Sequence, residues 1–169
     1  LFAADMPEDL IFGIDQELVE GLDDPITFPG ADWMALTGIS RAGELWLAKG
    51  NPVNFEGHPS PFEWQVYDLG IDLQPDTWYL IRAVVDFSTL NYVSFTISGP
   101  DIDVTVDISE VRLAYPNYLP FDQRHTTYFT WATRAGDGDP VGYPVAHIDD
   151  FRAGIEVDGE FQTVFESSY

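Results

Sequence analysis

Apolar and polar residues alternate along short runs of this chain, and the runs end about every ten residues at Gly, Pro, Asn or Asp. A period of two sends successive side chains to opposite faces, which is the signature of half-buried β-strands. The pattern predicts strands near 10–14, 33–38, 44–48, 62–68, 78–86, 91–98, 102–107, 110–114, 126–133, 145–155 and 160–166. In Glu44–Lys49, Leu45, Leu47 and Lys49 fall on one side, Trp46 and Ala48 on the other. In Trp78–Asp86 the split is Trp78, Leu80, Arg82, Val84 and Asp86 against Tyr79, Ile81, Ala83 and Val85. Both faces of that second run are partly apolar, as a strand inside two stacked layers requires. Helical signals are confined to Asp15–Leu22 and Ser109–Ala114, and twelve prolines punctuate the rest. No solenoid or propeller period, low-complexity tract or linker interrupts the chain. Sandwich, jelly roll and barrel all suit such a pattern; the expectation is a single all-β domain over residues 1–169 built as an antiparallel two-sheet sandwich.

Composition sharpens this. A chain of 169 residues buries about 70% of its unfolded surface and needs no covalent staple. It contains no cysteine, which removes disulfide frameworks, thiol nucleophiles, iron–sulfur clusters and cysteine-based zinc sites. Seven basic residues stand against 29 acidic ones, a net charge of −22. Nucleic acid and anionic membranes both need a basic face, so both are excluded as partners. Self-repulsion of this size is best tolerated where salt shortens the screening length to ~8 Å or less, or where divalent cations bind the acids. The composition therefore points to a saline or calcium-containing exterior, marine or halophilic in kind. Aromatic residues make up 15% of the chain, which separates it from a disordered acidic tail. No apolar run approaches the ~20 residues a bilayer needs, so no membrane insertion is expected. The opening Leu1-Phe2-Ala3-Ala4-Asp5 would suit a mature end after removal of a secretion signal.

Two regions bring a family into view. Asp76-Thr77-Trp78-Tyr79-Leu80-Ile81-Arg82-Ala83-Val84-Val85-Asp86 is followed by a polar turn and then Tyr92-Val93-Ser94-Phe95-Thr96-Ile97-Ser98-Gly99. Later come Tyr128-Phe129-Thr130-Trp131 and Ala146-His147-Ile148-Asp149-Asp150-Phe151-Arg152. In order and spacing these resemble the central hairpin and closing strands of concanavalin A-like jelly rolls, the laminin-G-like and carbohydrate-binding modules, over about residues 76–155. The resemblance implies a jelly-roll sandwich and glycan binding. It also implies that an Asp of the closing strand joins N-terminal donors to hold a structural calcium ion.

The residues themselves offer several chemistries. Asp149 and Asp150 are adjacent on an expected strand, so one of them points inward or toward a neighbouring loop, and an inward one wants an arginine, backbone N–H groups or a metal. Calcium takes six to eight oxygens; Asp5, Glu8, Asp9 or Asp15 are the N-terminal donors on offer, and a plain ion pair with Arg152 or Arg82 is the alternative. Asp137-Gly138-Asp139 could wrap a cation or be an ordinary turn, and it is no EF-hand. His58, His125 and His147 lack zinc-site spacing. Arg124, His125 and Tyr128 supply the parts of a polysaccharide lyase, but along one strand they do not converge. Paired carboxylates at glucanase spacing, a nucleophile elbow, a P-loop and a dinucleotide fingerprint are all missing from the sequence.

Aromatic rings remain. Sugars present apolar C–H faces that stack on Trp and Tyr while polar side chains take the hydroxyls. Trp33, Trp64, Tyr67, Tyr115, Asn117, Tyr118 and Tyr143 lie near turn residues and are the glycan-binding candidates. Tyr115–Phe121 carries two prolines and is expected to be a loop, whereas Trp46, Trp78 and Trp131 are assigned to the core. The functional expectation is an extracellular, non-catalytic module that binds a polysaccharide or cell-surface glycan, or adheres to a surface, with calcium as its structural cofactor. The alternatives are a subunit of a calcium-bridged filament or coat that binds copies of itself, and a small polysaccharide lyase or hydrolase.

Overall fold

The computed structural model describes residues 10–20, 31–50, 63–117, 125–134, 148–158 and 160–167. Among these residues eleven strands follow one another: β1 (Leu10–Glu20), β2 (Ala31–Ser40), β3 (Glu44–Lys49), β4 (Glu63–Asp68), β5 (Leu80–Asp86), β6 (Asn91–Ser98), β7 (Asp103–Asp107), β8 (Ala114–Asn117), β9 (His125–Arg134), β10 (Phe151–Val157) and β11 (Glu160–Ser167). The described residues contain no helix. The all-β expectation therefore holds, and the two helical signals do not. Asp15–Glu20 continues β1, whose long cross-strand partners on both sides outweigh any local preference, and Ser109–Glu110 is a turn.

Three antiparallel sheets result. The largest runs β4-β3-β2-β1-β9, with β8 also pairing β2; the second is β5-β6-β7; the third is the β10-β11 ribbon. The first two enclose one apolar interior, as a sandwich does. Trp33, Ile39, Leu45 and Leu47 come from the large sheet, and Tyr92, Phe95 and Ile97 from β6, the central strand of the second. Alternation explains the division. In β3, Leu45 and Leu47 face this interior while Trp46 takes the opposite face; in β5, Ile81, Ala83 and Val85 pack against it while Leu80 and Arg82 turn to solvent.

Tyr92 ties the layers together. Its ring is fully buried, and its hydroxyl sits 2.8 Å from the Ala48 carbonyl oxygen and 3.1 Å from that of Leu36, so a side chain of one sheet bonds backbone of the other. Burial, followed by the nearby Asp15 carboxylate, pushes this phenol well above its ordinary value. At the β2–β3 turn, Gly43 adopts φ +81° and its N–H donates to the Ser40 carbonyl at 3.0 Å. A Cβ there would collide with the Ile71 backbone, so only glycine closes the turn.

Three details differ from the sequence pattern. Ala114–Asn117 is a strand although Pro116 lies within it; the residue without a donor falls where the pairing to β2 is irregular, between Asp32↔Asn117 and Met34↔Ala114. The closing strand begins at Phe151, so Asp149 and Asp150 precede it, both exposed, with Asp150 at φ +51°. Neither carboxylate points into a core. Trp78, assigned to the core, is 51% exposed just ahead of β5. Its neighbour Tyr79 is the ring that packs against the interior.

Candidate functional site

An aromatic pair, Trp64 exposed and Trp46 half-buried, lies on the outer face of β3 and β4. In register, Trp46 opposes Val66 and Ala48 opposes Trp64, so Glu44, Trp46 and Ala48 share a face with Trp64, Val66 and Asp68. The Trp46 and Trp64 rings meet edge to face, with centroids 6.0 Å apart and planes at 74°. Such a contact holds each ring at a fixed angle. A carboxylate orients the first of them: Trp46 Nε1–H donates to Glu44 Oε2 at 3.3 Å. Glu44 is itself held by Ser40, whose Oγ accepts the Glu44 backbone N–H at 3.1 Å. Trp64 and Val66 are each 37% exposed on β4, which among the described residues is the edge of its sheet. The result is an apolar platform beside a fixed acceptor.

The other sequence candidates fall in different places. Trp33 is 1% exposed and stacks beneath the Arg112 guanidinium, 5.8 Å from its ring centroid. It is a core residue, because β2 is a central strand and Trp33 lies on its inward face. Tyr67 lies on the opposite face of β4 from Trp64, half-buried, and donates to Glu110 Oε1 at 3.4 Å. Burial, with the Glu110 charge behind it, raises the Tyr67 phenol above its ordinary value. It is not part of the platform. Tyr115 and Asn117 are placed by their backbone in β8. Tyr118, Tyr143 and Arg124 lie outside the described residues, while the backbones of His125 and Tyr128 sit in β9 opposite Val19 and Gln16.

Trp46 is the residue that sequence reasoning misplaced. The signal was present: alternation already set it opposite Leu45 and Leu47, which leaves its ring half-buried and outside the interior that the two sheets share.

Of the proposed calcium ligands, Asp5, Asp9, Asp137 and Asp139 lie outside the described residues. Asp149 Oδ1 accepts the Asp150 N–H at 2.9 Å, which turns it to its own backbone. Among the described residues no three acidic or histidine side chains converge. The arginines considered as ion-pair partners for these aspartates engage glutamates instead: Arg152 pairs with Glu166 and Arg82 with Glu156, each at 2.9 Å.

A cleft of about 1030 Å³ opens between β5, β1 and β10. Its floor includes Ile14 and Gln16; its walls include Ile81, Val85, Phe151 and Ala153. The Arg82–Glu156 pair joins the two walls.

The chain matches no family model, none of the curated proteins and none of the solved structures.

Proposed function

We propose that this chain is an extracellular, non-catalytic module that binds a polysaccharide or cell-surface glycan through the Trp46–Trp64 platform. In the same reading the sandwich is a concanavalin A-like jelly roll. The observation that carries the proposal is the pair of edge-to-face indoles on the outer face of β3 and β4, Trp64 exposed and Trp46 half-buried and oriented by Glu44. A pyranose ring would cover the apolar platform with its C–H face, and its hydroxyls would reach Glu44 and Asp68. A shallow face of this kind binds without enclosing a substrate, which suits adhesion better than bond cleavage.

Trp64→Ala removes half the platform without touching the interior. Loss of one stacked ring costs about 1–2 kcal/mol, so affinity for whichever member of a polysaccharide panel binds the parent falls roughly 5- to 30-fold. Unchanged affinity in this variant, or no binding by the parent across neutral and acidic polysaccharides, defeats the proposal. A structural calcium ion involving Asp149 and Asp150 belongs to the same reading. Its sign is a melting temperature raised by calcium beyond the effect of sodium chloride at matched ionic strength and restored by chelator; equal effects leave screening as the whole explanation.

A further inference from the structure

Independently of the glycan platform, we propose that the cleft between β5 and β10 is an acceptor slot for a foreign extended peptide of alternating apolar and basic residues, which would pair as a β-strand with both walls. Two strand edges border it. β5 pairs β6 on one side and β10 pairs β11, and among the described residues no strand pairs the remaining edge of either. The two are equal in length, Leu80–Asp86 and Phe151–Val157, seven residues each. At the usual rise each strand runs about 23 Å along its wall. The walls do not close on each other, yet the Arg82–Glu156 bridge holds them together.

The edge of β5 already shows what it lacks. The Gln16 side-chain amide, rising from β1, donates to the Ala83 carbonyl at 3.3 Å, so a side chain stands in for a ladder partner at that position. Apolar residues around the slot are also short of cover: Leu80 is 68% exposed, Ile155 52% and Phe161 48%. A two-stranded ribbon such as β10-β11 is marginal alone, and an added strand would join it to β5-β6-β7 as one continuous sheet.

Charge selects the occupant. Both arginines at the cleft are engaged by glutamates, which leaves Asp86 and Asp150 to set the local field within a chain of net charge −22. A second copy would bring the same surplus of negative charge, whereas a basic strand meets an attractive one. Apolar residues on one face of that strand would cover Ile14, Ile81 and Phe151, and basic residues on the other would lie toward solvent and the acids.

The probe is a capped seven-residue peptide alternating Val and Lys, compared with the same peptide methylated on alternate backbone nitrogens and with a Val/Glu version. Amide hydrogen exchange of the whole chain is followed with each. The slot predicts saturable binding of the first peptide and at least tenfold slower exchange at alternate amides of both β5 and β10, with β1 unchanged and neither control binding. Absence of binding, equal binding of the methylated peptide, or protection elsewhere overturns it. So does protection of both edges in the peptide-free protein, where dependence on protein concentration would assign the slot to a second copy and independence to the chain's own strands.

Discussion

Replacing Tyr92 with Phe tests how the layers are joined, because the substitution keeps the buried ring and removes one oxygen. That oxygen bonds the backbone of β2 and β3 from β6, at 3.1 Å to the Leu36 carbonyl and 2.8 Å to that of Ala48. A buried hydrogen bond contributes about 1 kcal/mol net, and because the one phenol proton is shared by two carbonyls that its loss leaves short of a donor, the expected loss is about 1–2 kcal/mol at neutral pH. For a chain of this length that lowers the melting temperature by about 2–8 °C. The alkaline limb gives the stricter test. A phenol raised above its unfolded value contributes fully below pH ~10; above that the unfolded chain releases a proton the folded chain retains, and the contribution falls by about 1.4 kcal/mol per pH unit until the folded group also ionises. Urea midpoints of parent and Tyr92→Phe measured at pH 8, 10 and 11 should therefore converge as the pH rises, the other tyrosines cancelling between them. Parallel curves across that range would refute the reasoning, since they would mean that Tyr92 ionises as freely folded as unfolded.

Two further substitutions probe the frame. Phe95→Ala opens a cavity beneath the central strand of the smaller sheet and should cost about 3–5 kcal/mol, read as a lower urea midpoint; a cost under 1 kcal/mol would mean that the sheets are not packed there. Gly43→Ala should destabilise by about 1–3 kcal/mol through its positive φ and its approach to Ile71, and thermal melting that matches the parent would show that this turn is built otherwise.

Alternation carried most of the architecture. The strands around Glu44–Lys49, Trp78–Asp86 and Tyr92–Ser98 stand where the pattern puts them, because each has a buried face that a one-residue slip would turn to water. The sequence left open which strands lie at the centre of a sheet and which at an edge, and the binding surface depends on that. Trp33 and Trp64 look alike in sequence, each preceded by an acidic residue, yet one lies on the inward face of a central strand and the other, among the described residues, on an edge. Trp78 shows the same limit: its strand begins two residues later, so parity with Leu80 places it on the outer face. The sequence pattern puts Asp149 and Asp150 inside a strand over 145–155. The left-handed backbone at Asp150 ends that reading, and pairing geometry rather than composition decides where β10 begins.

The indole N–H resonances of the five tryptophans report the central claim most directly. On titration with the best ligand from the polysaccharide panel, the account predicts that the Trp46 and Trp64 signals shift together and saturably while the buried Trp33 signal stays fixed. A titration in which Trp33 moves and the platform pair does not, or in which no indole responds to a ligand that binds, would contradict it.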